Sequence, residues 1–237
     1  MADQSARIAA HFVSACSPLR APVRPSWAVY EHPVQLEGGR KLRPGVYWHT
    51  TRTDAEGERH PADEWVSTPV MVVARTVRTE DGSEGRLLRL ATHAGTREWV
   101  LPMEVFGGSG EDARRSLFSM GVIIALKKRV AFMEYLMDQE PELTLATTTR
   151  PGWHVSGAFV LPDRTLGSDT VRFQSSGQAP TLFAAKGDLS HWQTLIAAKC
   201  LGNPVLTLAI GCALAGPLLS LVGVNGGGVH LVGDSSK

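Results

Sequence analysis

Apolar and β-branched positions recur in three neighbouring runs near the middle of the chain. They cover residues 69–77 (PVMVVARTV), 85–92 (GRLLRLAT) and 98–102 (EWVLP). Turn-forming residues separate the runs, with Asp81-Gly82 after the first run and Gly95 after the second. Short turns that contain glycine join neighbouring antiparallel strands. The pattern therefore predicts an antiparallel three-stranded meander.

Helical signals follow this meander. Ser109 with Asp112 resembles a capping box at the start of a helix that runs through Leu117. Residues 127–138 are predicted to be helical again. A second β-rich stretch includes residues 158–161 and 171–174. Asp188 or Ser190 can cap a further helix that ends near Cys200.

We expect residues 1–60 to be poorly structured, because five prolines interrupt any long helix. Within them, residues 7–17 favour a short helix and residues 45–49 a strand. The predicted organisation is this segment, a β-meander with helices over 61–150, and a last part over 151–237. That last part holds the second β-rich stretch, two helices and a final strand.

Residues 204–224 (PVLTLAIGCALAGPLLSLVGV) carry no charge and are long enough to span a membrane. They also contain two prolines and three glycines, and no Lys/Arg cluster or aromatic belt flanks them. A buried core helix is the favoured interpretation, and a single membrane span is the alternative.

The net charge of +1 gives no overall electrostatic argument for nucleic acid or for an acidic membrane surface. The three cysteines are scattered and lack zinc spacing, which favours free thiols in a reducing cytoplasm. His49 and His60 have no partners at metal-ligand spacing. The sequence predicts no metal site and no self-contained catalytic centre.

The end of the chain resembles the start of a nucleotide-binding loop. Walker A is a glycine, four variable residues and then Gly-Lys-Ser/Thr, between a buried strand and a helix. Here 229–232 (VHLV) would be the strand and Gly233 the first glycine. Asp234, Ser235, Ser236 and Lys237 would be the variable residues, so Lys237 is not the lysine that contacts the phosphates.

An ordered series of motifs adds weight to this interpretation. It comprises Gly152-Trp153-His154, residues 159–163 (FVLPD), Gly202-Asn203, residues 215–219 (AGPLL) and residues 227–236 (GGVHLVGDSS). In this order the motifs resemble the bacterial family called domain of unknown function 927. The resemblance covers about three quarters of the chain, and in the family the last segment continues into Gly-Lys-Thr.

The resemblance implies a helicase-like P-loop ATPase of phages and mobile elements, linked to DNA replication or processing. The fold class that it implies is α+β, in which an antiparallel β-rich module with helices leads into the first strand of an incomplete α/β ATPase core. ATP and Mg²⁺ are expected in the intact protein only, with Gly233, Asp234, Ser235, Ser236 and Lys237 contributing to the site. DNA and a ring-type homo-oligomer are the implied partners, and a cytoplasmic protein without a membrane span is expected.

Other candidate residues have a structural interpretation beside the functional one. Trp153 and His154 form a ligand or DNA site, or an aromatic anchor and a turn, and we favour the second. Asp163 is a catalytic candidate, but Pro-Asp after a strand is common in turns. Two basic runs could contact phosphates or be solvated surfaces: Arg40, Lys41 and Arg43, and Lys127, Lys128 and Arg129. The alternative function is a stand-alone DNA- or protein-binding or oligomerisation module without catalysis.

Overall fold

A computed structural model describes residues 20–93, 95–168, 170–175, 186–230 and 232–233. The helix predicted over residues 7–17 lies outside this range. The chain divides into two compact units, Met1–Leu145 and Ala146–Lys237.

The first unit contains eight strands and two α-helices among its described residues, and strand β9 contains its boundary with the second unit. The strands are β1 Ser26–Tyr30, β2 Val34–Gln35, β3 Lys41–Leu42, β4 Gly45–Thr53, β5 Arg59–Ser67, β6 Val70–Arg78, β7 Glu84–Thr92, β8 Gly95–Pro102 and β9 Thr144–Thr148. The helices are α1 Glu111–Ser119 and α2 Arg129–Asp138, with short 3₁₀ turns at Met103–Gly107 and Leu126–Lys128.

Strands β1 and β4 lie within the segment that was expected to be poorly structured, and they form an antiparallel sheet with β5, most of which lies beyond that segment. That expectation is therefore wrong for 26–53, where the sequence predicted only the strand at 45–49. These prolines do not interrupt β1 or β4, because Pro25, Pro33 and Pro44 lie outside both strands. The polar turn after β4 closes through backbone hydrogen bonds between Asp54 and Glu58 and between Gly57 and Asp54.

The predicted meander is confirmed in β6, β7 and β8, which pair antiparallel in sequence order. A register shift between Val72 and Ala74 interrupts the pairing of β6 with β7. One face of the meander packs under α1 and α2, with Leu88, Leu101 and Phe132 fully buried in the shared core. The predicted capping box is wrong: Gly110 is the N-cap of α1, and the Ser109 hydroxyl accepts from the Glu111 amide at 3.3 Å.

The second unit is built from short elements. Strands β10 Gly152–Trp153, β11 Phe159–Val160 and β12 Thr165–Leu166 form a small antiparallel sheet, and β13 Val171–Phe173 runs parallel to β9. Helices α3 Leu189–Trp192 and α4 Ala198–Cys200 are joined without a break by a π-helical stretch, Gln193–Ala197. Helix α5 is Pro204–Leu219, and Ser220–Val222 continues it as one 3₁₀ turn. Asp188 caps α3, as expected, by accepting from the His191 amide at 2.9 Å.

The fold is thus a mixed α+β structure in which antiparallel sheets predominate. The final strand predicted over 229–232 is not formed among the described residues of that segment, since Val229, His230 and Val232 have irregular backbone. A core strand needs neighbouring strands to satisfy its backbone groups. Both valines are exposed and no described strand lies beside them.

Candidate functional site

Helix α5 and the segment that follows it are the candidate functional region of the second unit. The Asn203 side chain accepts from the Leu206 amide at 3.1 Å, and Pro204 occupies the first turn, so both start signals for a helix are present. After the 3₁₀ turn, Gly223 adopts a left-handed conformation (φ +67°), which ends the helix. The sequence therefore encodes a helix with defined ends although it carries no charge.

The surface of α5 is apolar and exposed, which corrects the expectation of a buried core helix. None of its residues is buried, and Leu208, Leu214 and Leu218 are each about half exposed. By length and composition, Pro204–Val222 is sufficient to cross a membrane. A groove follows the small side chains of the helix and is lined by Gly202, Thr207, Gly211, Cys212 and Ala215, among others.

Trp153 holds the C-terminal end of α5. Its indole N–H donates to the backbone carbonyl of Pro217 at 2.6 Å, and its ring contacts the edge of Phe159 at a centroid distance of 5.2 Å. His154 closes the turn between β10 and β11, with its Nδ1 2.8 Å from the Ser156 hydroxyl. Asp163 is exposed in the tight turn between β11 and β12. The structural interpretation therefore accounts for all three residues.

The predicted nucleotide loop lies mostly outside the described residues. Gly233 is described, and it is exposed with irregular backbone. Asp234, Ser235, Ser236 and Lys237 lie outside, so their contribution to a nucleotide site stays a prediction.

A buried polar cluster in the first unit was missed by the sequence reasoning. The carboxylate of Asp63 on β5 is 2% exposed and accepts from Arg24, from His49 Nδ1 at 2.7 Å and from Arg40 at 2.9 Å. Arg24 also donates to the Thr50 and Ala62 carbonyls, which links β4 to β5. The available signal was one histidine and one aspartate at matching positions of paired strands, and that signal is too common to be specific.

The charged and polar groups of this cluster are paired with one another. Burial alone would raise the pKa of Asp63, but the hydrogen bonds from His49 and Arg24 outweigh it and lower the pKa. Burial lowers the pKa of His49, and its bond to Asp63 offsets this only in part. A neutral imidazole satisfies all partners, with Nδ1–H donating to Asp63 and Nε2 accepting from the Tyr30 hydroxyl at 3.0 Å. The arrangement stabilises the sheet and exposes no reactive group.

The two predicted basic runs are partly engaged in the same sheet. Arg40 pairs with Asp63, and the Arg43 guanidinium stacks over Trp65 at 3.7 Å from the ring centroid. Lys128 pairs with Glu64, which also accepts from Arg52. Structural pairing therefore explains these three basic residues. The remaining members of the runs, Lys41, Lys127 and Arg129, are exposed.

Comparisons with known proteins agree with the fold. A search of the curated proteins gives no match. Among solved structures, "SCCmec type IV Cch - active helicase" is similar, with a TM-score of 0.55 and 14% sequence identity. The similarity covers 85% of this chain and 35% of that helicase, so this chain spans about a third of its length. At this identity the likeness concerns the fold.

The family comparison covers more of the sequence than the ordered motifs alone. The model of the domain of unknown function DUF927 matches residues 39–237, from the loop before β3 to the last residue. This range includes the meander, both of its helices and the whole second unit. The chain therefore belongs to the DUF927 family.

Proposed function

We propose that this chain is the N-terminal, non-catalytic module of a helicase-like ATPase of a mobile element, and that the module positions DNA for that ATPase. The exposed apolar surface of α5 supports the part of the proposal in which this module docks on another part of the protein. Soluble domains seldom expose a large contiguous apolar surface unless it meets a partner. The helicase with the similar fold is about three times as long as the matched region.

The partner that we assign to α5 is the ATPase core of the same protein. The helix immediately precedes residues 224–233, which lead to the predicted nucleotide loop at Gly233. Its groove is lined by small residues such as Gly211 and Ala215, which permit close approach of a second helix or strand. A lipid bilayer suits the apolar composition as well, but the chain has no basic cluster or aromatic belt beside the helix.

In this proposal ATP and Mg²⁺ bind to the whole protein, in which a complete Walker A provides the Gly-Lys-Ser/Thr that contacts the phosphates and the metal ion. Gly233, Asp234, Ser235, Ser236 and Lys237 would then supply the first part of the loop. Assembly into a ring through neighbouring ATPase cores and a cytoplasmic location belong to the same proposal.

Two binding measurements on the purified chain test the proposal. Fluorescence anisotropy with a labelled single-stranded oligonucleotide should show binding that weakens steeply as salt increases, because phosphate contacts release counterions. Titration with ATP and Mg²⁺ should show no saturable binding. Tight Mg²⁺-dependent ATP binding would overturn the non-catalytic assignment. Absence of DNA binding at low salt would favour the second candidate, an oligomerisation module, for which the apolar surface of α5 is the motivating observation.

A separate experiment distinguishes the partners of α5. After lysis without detergent, the chain should remain in the aqueous fraction when membranes are pelleted. Recovery in the membrane fraction, released only by detergent, would contradict the assigned protein partner. Leu214→Ser reduces the apolar surface at an exposed position and should lower any concentration-dependent self-association.

A further inference from the structure

Arg86 on β7 carries a guanidinium that is largely buried. The residue is 8% exposed, and its Nε and Nη1 atoms are buried with no hydrogen-bond partner among the described residues. Arginine stays charged at all physiological pH values, so it cannot avoid this state by losing a proton. Buried charges are normally paired, because removing them from water is unfavourable.

Strand register places a second arginine beside it. Arg86 lies opposite Arg75 on β6 and opposite Leu101 on β8. Residues that lie directly opposite each other in a sheet share a face, and two like charges in that position repel. Arg75 is exposed, and no described carboxylate forms an ion pair with either guanidinium. Both arginines therefore lie on the face of the meander that packs against α1 and α2, where Arg75 is exposed and Arg86 is buried.

One neighbouring group on the face, the Trp99 indole, also lacks a hydrogen-bond acceptor among the described residues. Trp99 is diagonal to Arg86 across β7 and β8, and its buried indole Nε1 has no partner among the described residues. One carboxylate is near: Glu84 is two residues from Arg86 on the same strand and face, exposed at the end of β7. The buried groups that lack partners on this face, the Arg86 guanidinium and the Trp99 indole, are both donors, and Glu84 is the carboxylate nearest to Arg86 along its own strand.

We propose that Arg75 and Arg86 form a phosphate-binding site that contacts the backbone of a nucleic acid. A guanidinium presents its donors in a planar fork that fits two oxygens of a phosphate group. Exposed Arg75 is available for first contact, while the low-dielectric surroundings of Arg86 strengthen each hydrogen bond that it makes. The nucleic-acid source rests on the proposed function, whereas the preference for an oxyanion follows from the unpaired donors alone.

Inorganic phosphate is the first probe, because it tests the site without reference to DNA. The Nε–Hε resonances of arginine are followed by NMR in the full chain during a phosphate titration. Arg75 and Arg86 should shift together and saturably, and Arg86→Met should abolish the shift of Arg75. Arg89→Met is the matched control, since Arg89 lies on the same strand but the opposite face and pairs with Glu98 at 3.6 Å. Absence of a shift at Arg75 and Arg86 overturns the site.

Single-stranded DNA is the second probe and identifies the source of the phosphate. By fluorescence anisotropy, Arg75→Gln/Arg86→Met should bind about tenfold more weakly than the wild type and show a shallower salt dependence. Arg89→Met should stay within about twofold. Glu84→Gln should strengthen binding by removing the competing carboxylate. Thermal unfolding of each variant excludes a loss of fold, and Arg86→Met is expected to unfold at or above the wild-type temperature.

The outcomes separate this inference from the proposed function. If phosphate shifts the arginine resonances of the wild type but the double variant keeps the wild-type DNA affinity, the site binds a free phosphate. The nucleic-acid contact is then overturned. If the wild type shows no phosphate shifts and the double variant binds DNA as tightly as the wild type, the site is overturned and the proposed function stays intact. If the wild type shows phosphate shifts but binds no DNA, the DNA role in the proposed function fails while the oxyanion site stands.

Discussion

The indole N–H of Trp153 donates to the backbone carbonyl of Pro217 at 2.6 Å and thereby ties the β10–β11 hairpin to the end of α5. The last four carbonyls of a helix have no partner within the helix. Trp153 satisfies one of them from 64 residues away in sequence. The contact fixes the apolar helix within its unit and leaves most of the helix surface exposed.

Trp153→Phe should loosen the end of α5 without disturbing the hairpin. Phenylalanine keeps an aromatic ring beside Phe159 but cannot donate to Pro217, so about 1 kcal/mol of stabilisation should be lost. Amide hydrogen exchange should accelerate over residues 218–222. Trp192→Phe is the control, because the Trp192 indole donates no hydrogen bond to a described residue. Equal acceleration in both variants would contradict the capping role of Trp153.

Gly45→Ala should destabilise the β1–β4–β5 sheet strongly. Gly45 has φ +154°, and an added Cβ would collide with the Trp65 indole and with the backbone carbonyl of Ser67. The backbone partner cannot rotate away, so we expect a loss of about 3 kcal/mol, from overpacking and backbone strain together. Gly57→Ala is the matched control: its φ is also positive (+88°), but the added Cβ meets open space. Urea unfolding of both variants measures the difference.

Asp63 and Glu64 are consecutive on β5, and their side chains point to opposite faces, so they make a matched pair. Asp63→Asn leaves Arg24 and Arg40 beside a neutral group in a site where the carboxylate is 2% exposed, and should cost about 3 kcal/mol. Glu64 is more exposed and its partners reach solvent, so Glu64→Gln should cost about 1 kcal/mol. Chemical denaturation compares them, and equal losses would contradict a buried structural cluster.

The free energy of unfolding should decrease as the pH is lowered, because His49 titrates differently in the folded and unfolded chain. Its folded-state pKa is below the ordinary value of 6.5, first because of burial, so the unfolded chain takes up a proton first as the pH falls. The stabilisation present above pH 6.5 is therefore lost as the pH drops through the folded-state pKa. The stabilisation that comes from the lowered pKa of Asp63 is lost only below its ordinary value of 3.8, outside this pH range. Thermal unfolding between pH 7.5 and 5 should show this decline, and His49→Gln should flatten it.

The sequence predicts elements well where the determining pattern is local. The predicted strands 69–77 and 85–92 correspond to Val70–Arg78 and Glu84–Thr92, because alternation and an Asp-Gly turn are enough to specify a hairpin. Strand β1 was missed because it is short, follows Pro25 and gains its hydrogen bonds from β4, 15 or more residues later in the chain.

The candidate region shows the limit of composition as a guide. An apolar run indicates that the surface of α5 is more stable when it is removed from water, but it does not identify what covers the helix. The sequence therefore predicted a buried helix, and the structure exposes it. The Asp63 cluster and the Arg75–Arg86 pair were missed for a related reason: strand register brings those residues together, and register depends on bulges such as the one at Val72–Ala74.

Arg86→Met should make the protein more stable. The substitution replaces a buried guanidinium, two of whose nitrogens lack partners, with an apolar side chain of similar length. Removing the unsatisfied group should raise the free energy of unfolding by about 1–3 kcal/mol, measured by urea denaturation without phosphate. Arg75→Met removes an exposed charge and should change it by less than about 0.5 kcal/mol. Saturating phosphate should stabilise the wild type and leave Arg86→Met unchanged, because a ligand stabilises only the state that binds it. If Arg86→Met is less stable than the wild type, the guanidinium has a structural role in the sheet. That result would contradict the proposal that the unpaired guanidinium lowers stability and serves to bind phosphate.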